Sequence, residues 1–96
     1  MLYTLSSSPF ASQALTDILR LATAQDALLL WSDGVLAALV GSEFAEPLAA
    51  SPVKVYVLQA DAQARGIAER LLSQIQVIDY SGWVALTEQY PQQLAY

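Results

Sequence analysis

The sequence predicts a small α/β domain, a three-layer sandwich in which a mostly parallel sheet carries helices on both faces. Three observations lead there. Short runs of apolar, β-branched or aromatic residues recur at Met1–Leu5, Asp26–Trp31, Val53–Leu58 and Gln74–Ile78. Between them lie stretches whose apolar residues fall at helical spacing. The run Ala27-Leu-Leu-Leu-Trp31 is continuously apolar, as a strand covered on both sides of a sheet must be. Strands alternating with helices need crossover connections, and so run parallel. At 96 residues the chain makes one domain, 1–96, with no linker or internal repeat.

Each element has its own signal. Met1–Leu5 reads as a first strand, followed by the turn-former Ser6-Ser-Ser-Pro9. From Phe10 to Leu21 the apolar positions Ala11, Ala14, Leu15, Ile18, Leu19 and Leu21 predict a helix. Ser8 or Ser12 is placed to cap it, since a serine hydroxyl accepts from the free N–H groups of a first turn. The second strand ends at Ser32-Asp33-Gly34, a strong turn signal. Val35–Val40 reads as a short helix stopped by Gly41. A hairpin strand through Asp33-Gly34 is the alternative, disfavoured because Ala37-Ala38 packs poorly on a pleated surface. Glu43–Ser51 is helical or irregular, closed by Pro52. Val53–Leu58 is the clearest strand, and Asp61–Leu72 follows as a helix interrupted at Gly66. Gln74–Ile78 alternates like a fourth strand. Asp79-Tyr80-Ser81 opens a last helix to Gln89, ended by Pro91, and the segment 92–96 adds a short edge strand.

Composition narrows the chemistry. The chain is 55% hydrophobic and 14% charged, against roughly 25% charged for ordinary domains. A domain of this size buries only about two-thirds of its unfolded surface, so a covering partner is a natural complement. The net charge is −5, and the four basic residues, Arg20, Lys54, Arg65 and Arg70, are scattered. Direct gripping of a nucleic-acid backbone needs a basic patch, and none is present. With no cysteine and no histidine there is no disulfide, thiolate nucleophile, imidazole base, Cys/His zinc site or Ser-His-Asp triad. No metal or cofactor is expected. Met1–Phe10 lacks the basic start of a secretory signal, and no apolar run nears the length of about 20 residues that spans a bilayer. The expected compartment is the cytoplasm.

Ligands of such folds meet the carboxyl ends of the strands, so the loops there carry the candidates. Ser6, Ser7 and Ser8 form a serine loop entering a helix, read as turn and cap. Asp33, with Gly34, reads as a turn and helix cap rather than an acid–base group, for no second carboxylate stands at a useful spacing. Asp61 and Arg65, four apart on one predicted helix, make a surface pair worth a few tenths of a kcal/mol. The aromatics are more suggestive. Tyr80, Trp83, Tyr90 and Tyr96 cluster toward the end of the sequence and are candidate subunit-interface residues, because tyrosine and tryptophan concentrate at interface centres. Trp31 ends the second strand.

Four segments together resemble a known family: Met1-Leu-Tyr-Thr-Leu5 with Ser8-Pro9, Leu28-Leu-Leu-Trp-Ser-Asp-Gly-Val35, Lys54-Val-Tyr-Val-Leu58 leading to Ala64-Arg-Gly66, and Ile78-Asp-Tyr80 with Trp83-Val84 and Pro91. In this order and spacing they are similar to the TusB (DsrH-like) family within the DsrE/DsrF/DsrH superfamily. The resemblance implies a flavodoxin-like fold. It also implies assembly with TusC-like and TusD-like sisters into a heterohexamer, a dimer of heterotrimers. Such a complex passes persulfide sulfur from a TusA-like donor to a TusE-like acceptor, toward 2-thiolation of the tRNA wobble uridine. In the TusD-like sister the sulfur-bearing cysteine ends a strand ahead of a helix with an Arg-Gly pair. Counting back from Arg65-Gly66 puts Leu58 at that position. Leucine offers no nucleophile, and Asp61 early in the same helix would repel a thiolate. The resemblance thus implies a structural, non-catalytic subunit. Two other readings stand beside it: a signalling module phosphorylated in the Ser6–Ser8 loop, and a small-ligand enzyme using Asp33.

Overall fold

A computed structural model describes all residues, 1–96. Five strands, β1 (Leu2–Leu5), β2 (Ala27–Leu30), β3 (Lys54–Leu58), β4 (Gln76–Ile78) and β5 (Gln93–Ala95), form one sheet in the order β4-β3-β2-β1-β5. Every neighbouring pair is parallel, with Leu2 beside Ala27 and Gln93, and Ala27 beside Lys54. The α/β sandwich with a parallel sheet is therefore as the sequence predicts, including the short edge strand contributed by residues 93–95.

The pleat divides the strands between two unequal layers. Tyr3, Leu5, Leu28, Leu30, Val55 and Val57 face one side, into the main core. There they meet α1 (Ala14–Leu21) through Leu15 and Ile18, and a 3₁₀ helix (Ser32–Ala38) through Val35, Ala37 and Ala38. Leu48 of α2 (Ala45–Ala50) and Ala62 of α3 (Gln59–Ala64) complete that layer. Leu2, Ala27 and Leu29 face the other side, where Leu86 of α4 (Tyr80–Gln89) and the adjoining Tyr90 form a second, smaller core. One helix alone covers that face. Leu28, Leu29 and Leu30 are fully buried, each stabilising the fold by about 1.5–3 kcal/mol. Three consecutive inaccessible leucines require cover on both faces, as the unbroken apolar run implied.

Local hydrogen bonding moves several boundaries. The helix expected over 10–21 begins at Ala14. The Ser8 hydroxyl accepts from Phe10 N–H and the Ser12 hydroxyl accepts from Ala14 N–H (both 3.2 Å), so two serine turns take up the chain where a helix would start. Residues 35–38 are helical rather than a hairpin strand. Their turn is of the 3₁₀ kind and starts earlier, at Ser32, and Leu39 leaves it to bridge Leu71. The predicted helix 61–72 starts at Gln59 and stops at Ala64, because Gly66 takes a left-handed conformation (φ +69°). Irregular chain then leads to β4. The 3₁₀ helix ends at Ala38, before the expected stop at Gly41, which instead takes a left-handed conformation (φ +85°) in the turn that follows. Asp79 caps α4, its Oδ1 accepting from Gly82 N–H at 2.8 Å.

Candidate functional site: the strand ends and the outer face of α4

At the carboxyl end of the sheet the β2 and β3 loops are tied together. Trp31 N–H donates to Leu5 O at 3.0 Å, and Gly34 N–H donates to Trp31 O at 2.9 Å, folding the loop back over β1. A Cβ on Gly34 would collide with the Leu5 carbonyl oxygen, so this glycine is required by space. Ser32 sits at φ +51°, uncommon for a residue with a side chain. Its N–H is held by Asp61 Oδ2 at 2.6 Å.

The expected Asp61–Arg65 side-chain pair does not form. Arg65 turns instead to Asp33, donating from Nε (3.1 Å) and Nη2 (2.9 Å) to one carboxylate oxygen, while its Nη1 reaches only the Asp61 carbonyl (3.2 Å). Asp61 is drawn away because the Ser32 N–H offers a more buried partner. Asp33 is likewise not a helix cap. Trp31 occupies the N-cap position with no side-chain bond, and Asp33 lies in the first turn, committed to Arg65. Each carboxylate thus has a structural partner. No group of three or more His, Cys, Asp or Glu side chains gathers to hold a metal ion.

Leu58 ends β3 and forms the N-cap position of α3, with 1% of its surface exposed. The serine loop is similarly engaged. The Ser6 N–H and hydroxyl both donate to Tyr96 O (3.0 and 3.2 Å), the Ser7 and Ser12 hydroxyls share a 3.3 Å bond, and Ser8 holds Phe10. Tyr96 is half-buried beside Tyr3, ring centroids 6.4 Å apart, and its N–H donates to Thr4 O. Tyr90 is buried in the smaller core. Two of the four candidate aromatics therefore serve the fold of this chain itself.

Tyr80 and Trp83 differ. Trp83 lies over Trp31 (centroids 5.2 Å) and stacks with Tyr80 (6.5 Å, planes 15° apart), giving a row of three rings that runs from the end of β2 onto the surface. Tyr80 and Val84 are 60% and 57% exposed, and with Trp83 and Thr87 they line a shallow depression. The indole Nε1 of Trp31 is buried without an acceptor. Sequence reasoning missed Val84. Its signal was there: α4 carries apolar residues on both faces and one charge, Glu88.

At the opposite, amino end of the sheet, Asp26 is the one strongly engaged carboxylate. Burial disfavours its charge. The Thr23 N–H (2.8 Å), the Met1 ammonium (3.1 Å) and the Thr23 hydroxyl (3.1 Å) outweigh that and hold its carboxyl below the ordinary range. Burial, helped by the Asp26 charge and Tyr96, pushes the Tyr3 hydroxyl up.

Comparison with known proteins gives this scaffold relatives. The family described as "DsrH like protein" matches residues 7–93. The protein TusB of Pectobacterium parmentieri is 47% identical, and that of Sodalis glossinidius 49%, each over the whole of both chains. The protein TusB of Escherichia coli K12 is 43% identical, again over the whole of both. Among solved structures, the ychN protein of E. coli superposes with a TM-score of 0.80 at 24% identity, over 99% of this chain and 97% of that one. Protein Tm0979 of Thermotoga maritima gives 0.68 at 29% identity, over 96% and 97%. With the family's pattern matched over most of its length and full-length relatives well above 40% identity, the chain belongs to the DsrH-like family.

Proposed function

We propose that this chain is a non-catalytic structural subunit of a heterohexameric sulfur-relay complex in the cytoplasm. TusC-like and TusD-like subunits join it as a dimer of heterotrimers. The complex receives persulfide sulfur from a TusA-like donor and passes it to a TusE-like acceptor, toward 2-thiolation of the tRNA wobble uridine. Its likeness to proteins named TusB over their full length supports the pathway. The observation that carries the structural role is Leu58. This side chain occupies the strand-end position ahead of α3 and Arg65-Gly66, buried and without a thiol, in a chain with no cysteine anywhere. Sulfur transfer through a persulfide needs a thiolate to form and break S–S bonds. This chain has none to offer, so its contribution is to shape and complete the assembly.

Co-expression with TusC-like and TusD-like sisters tests the proposal. Light scattering behind size exclusion should show one complex containing all three. After loading with sulfur, intact-mass spectra should place the added sulfur on a sister and never on this chain. A chain that stays monomeric beside its sisters, or whose own mass rises by sulfur, refutes it.

A further inference from the structure

The outer face of α4 is the strongest unexplained surface of the molecule. A helix on a domain surface is ordinarily apolar toward the core and polar toward water. α1 follows this along its length, burying Leu15 and Ile18 while exposing Thr16, Asp17 and Arg20, and its single strongly exposed apolar residue, Leu21, is its last. α4 does not. Leu86, with Trp83 and the adjoining Tyr90, faces the sheet, yet Tyr80 and Val84 stand exposed on the far side. Tyr80, Val84 and Thr87 are spaced as one ridge along the helix. This is also the only helix on its face of the sheet, so the ridge forms the outermost layer there.

Charge decides what fits the ridge. Between residues 71 and 96 there is no lysine or arginine, and the only charged side chains are Asp79 and Glu88. Both are exposed, one at each end of α4. Two copies meeting ridge to ridge would oppose like charges in either direction. Antiparallel helices set Asp79 against the other copy's Glu88, and parallel helices set Asp79 against Asp79 and Glu88 against Glu88. Like charges facing across an interface disfavour the pairing.

Resting on the function proposed above, we infer that the Tyr80–Trp83–Val84–Thr87 face docks a different subunit, one presenting an apolar patch rimmed by lysine or arginine. The apolar centre supplies burial, and the two terminal carboxylates set direction by pairing with the basic rim. A second copy of this chain is disfavoured on the face by its own acids.

The test uses the assembled complex with its TusC-like and TusD-like sisters. Val84→Lys places a cation at the centre of the face, and Glu88→Lys reverses one end. Leu21→Lys, on α1 at 58% exposure, is the matched control. Val84→Lys should weaken assembly by about tenfold or more, as loss of a central apolar contact does. Glu88→Lys should weaken it by about threefold at low salt, with the effect fading as salt rises. Leu21→Lys should assemble like the parent. Glu88→Lys, a surface change, keeps the test standing should Val84→Lys prove less stable. If the parent assembles and both α4 variants match Leu21→Lys, this inference falls and the proposed function survives. A parent that ignores both sisters sinks the two together. A homodimer of the isolated chain that Val84→Lys dissolves would overturn the assignment to a different subunit.

Discussion

Replacing Gly34 by alanine isolates how tightly the β2 loop is laid over β1. The added methyl would overlap the Leu5 carbonyl oxygen and stand 2.9 Å from the Leu5 carbonyl carbon. That oxygen already accepts the Trp31 N–H. The obstacle is backbone in a central part of the sheet, which cannot swing aside like the end of a side chain. Overpacking of this kind costs about 1–3 kcal/mol, here toward the upper end. Against it stands the loss of unfolded-state freedom that favours alanine over glycine, about 0.4–1 kcal/mol. The net expectation is a loss of about 2 kcal/mol. A domain of this length has on the order of 5–14 kcal/mol in total, and each kcal/mol moves Tm by about 4–8 °C. The variant should therefore melt about 8–16 °C below the parent. Gly66→Ala is the internal comparison, because a Cβ there meets nothing within 4 Å and its cost comes only from φ +69°. That cost is about 1–2 kcal/mol before the same entropic offset. Urea unfolding followed by circular dichroism measures both. A Gly34→Ala variant within about 0.5 kcal/mol of the parent, or more stable than Gly66→Ala, would refute the reasoning.

Three further outcomes follow from the hydrogen bonds. Asp26→Asn should cost about 1.5–3 kcal/mol at pH 7, since it removes the charge from a half-buried carboxylate that accepts from the Met1 ammonium and from Thr23. Because the folded carboxyl lies below its ordinary range, its contribution is complete above the unfolded value of about 4. It is lost as pH falls through the lower folded value, so urea midpoints of parent and variant should converge in that acid window. A double-mutant cycle of Asp33→Ala and Arg65→Ala should give a coupling below about 1 kcal/mol that shrinks with salt, because Asp33 is 58% exposed. Trp31→Phe should shift stability by less than about 1 kcal/mol, since the ring's loss of area is offset by removing a buried N–H with no acceptor. A loss above about 2 kcal/mol would mean that this N–H has a partner in solution.

The sequence carried those elements that local chemistry decides alone. The apolar run at Ala27–Leu30 and the alternation through Val55 and Val57 announced central strands, and Asp79 announced the start of α4. What it hid were choices between competing partners. Asp61 and Arg65 stand at helical pairing distance in the sequence, but the 3₁₀ helix brings Ser32 and Asp33 alongside α3 and both side chains change partner. Four aromatics looked alike in the sequence. The crossover from β4 to β5 buries Tyr90 beneath α4 and lays Tyr96 beside Tyr3, leaving only Tyr80 and Trp83 on the surface row. Strand order is a property of the whole sheet, and no window of sequence contains it.

The pairing of β5 with β1 also sets a timetable for the molecule. β1 is bounded by β2 on one edge and β5 on the other, and the Ser6–Tyr96 bond joins residues 90 apart. During synthesis, β1 through β4 can associate as they emerge. The β5 edge of β1, with its open row of N–H and C=O groups, stays unpaired until residues 93–95 have been made. Closing so long a loop is slow compared with local helix formation, and an open strand edge is an invitation to the wrong neighbour. The three-residue β5 therefore arrives late to replace the longer open edge of β1 with a shorter one of its own, and a nascent chain stalled before it would present that longer edge to the wrong neighbours.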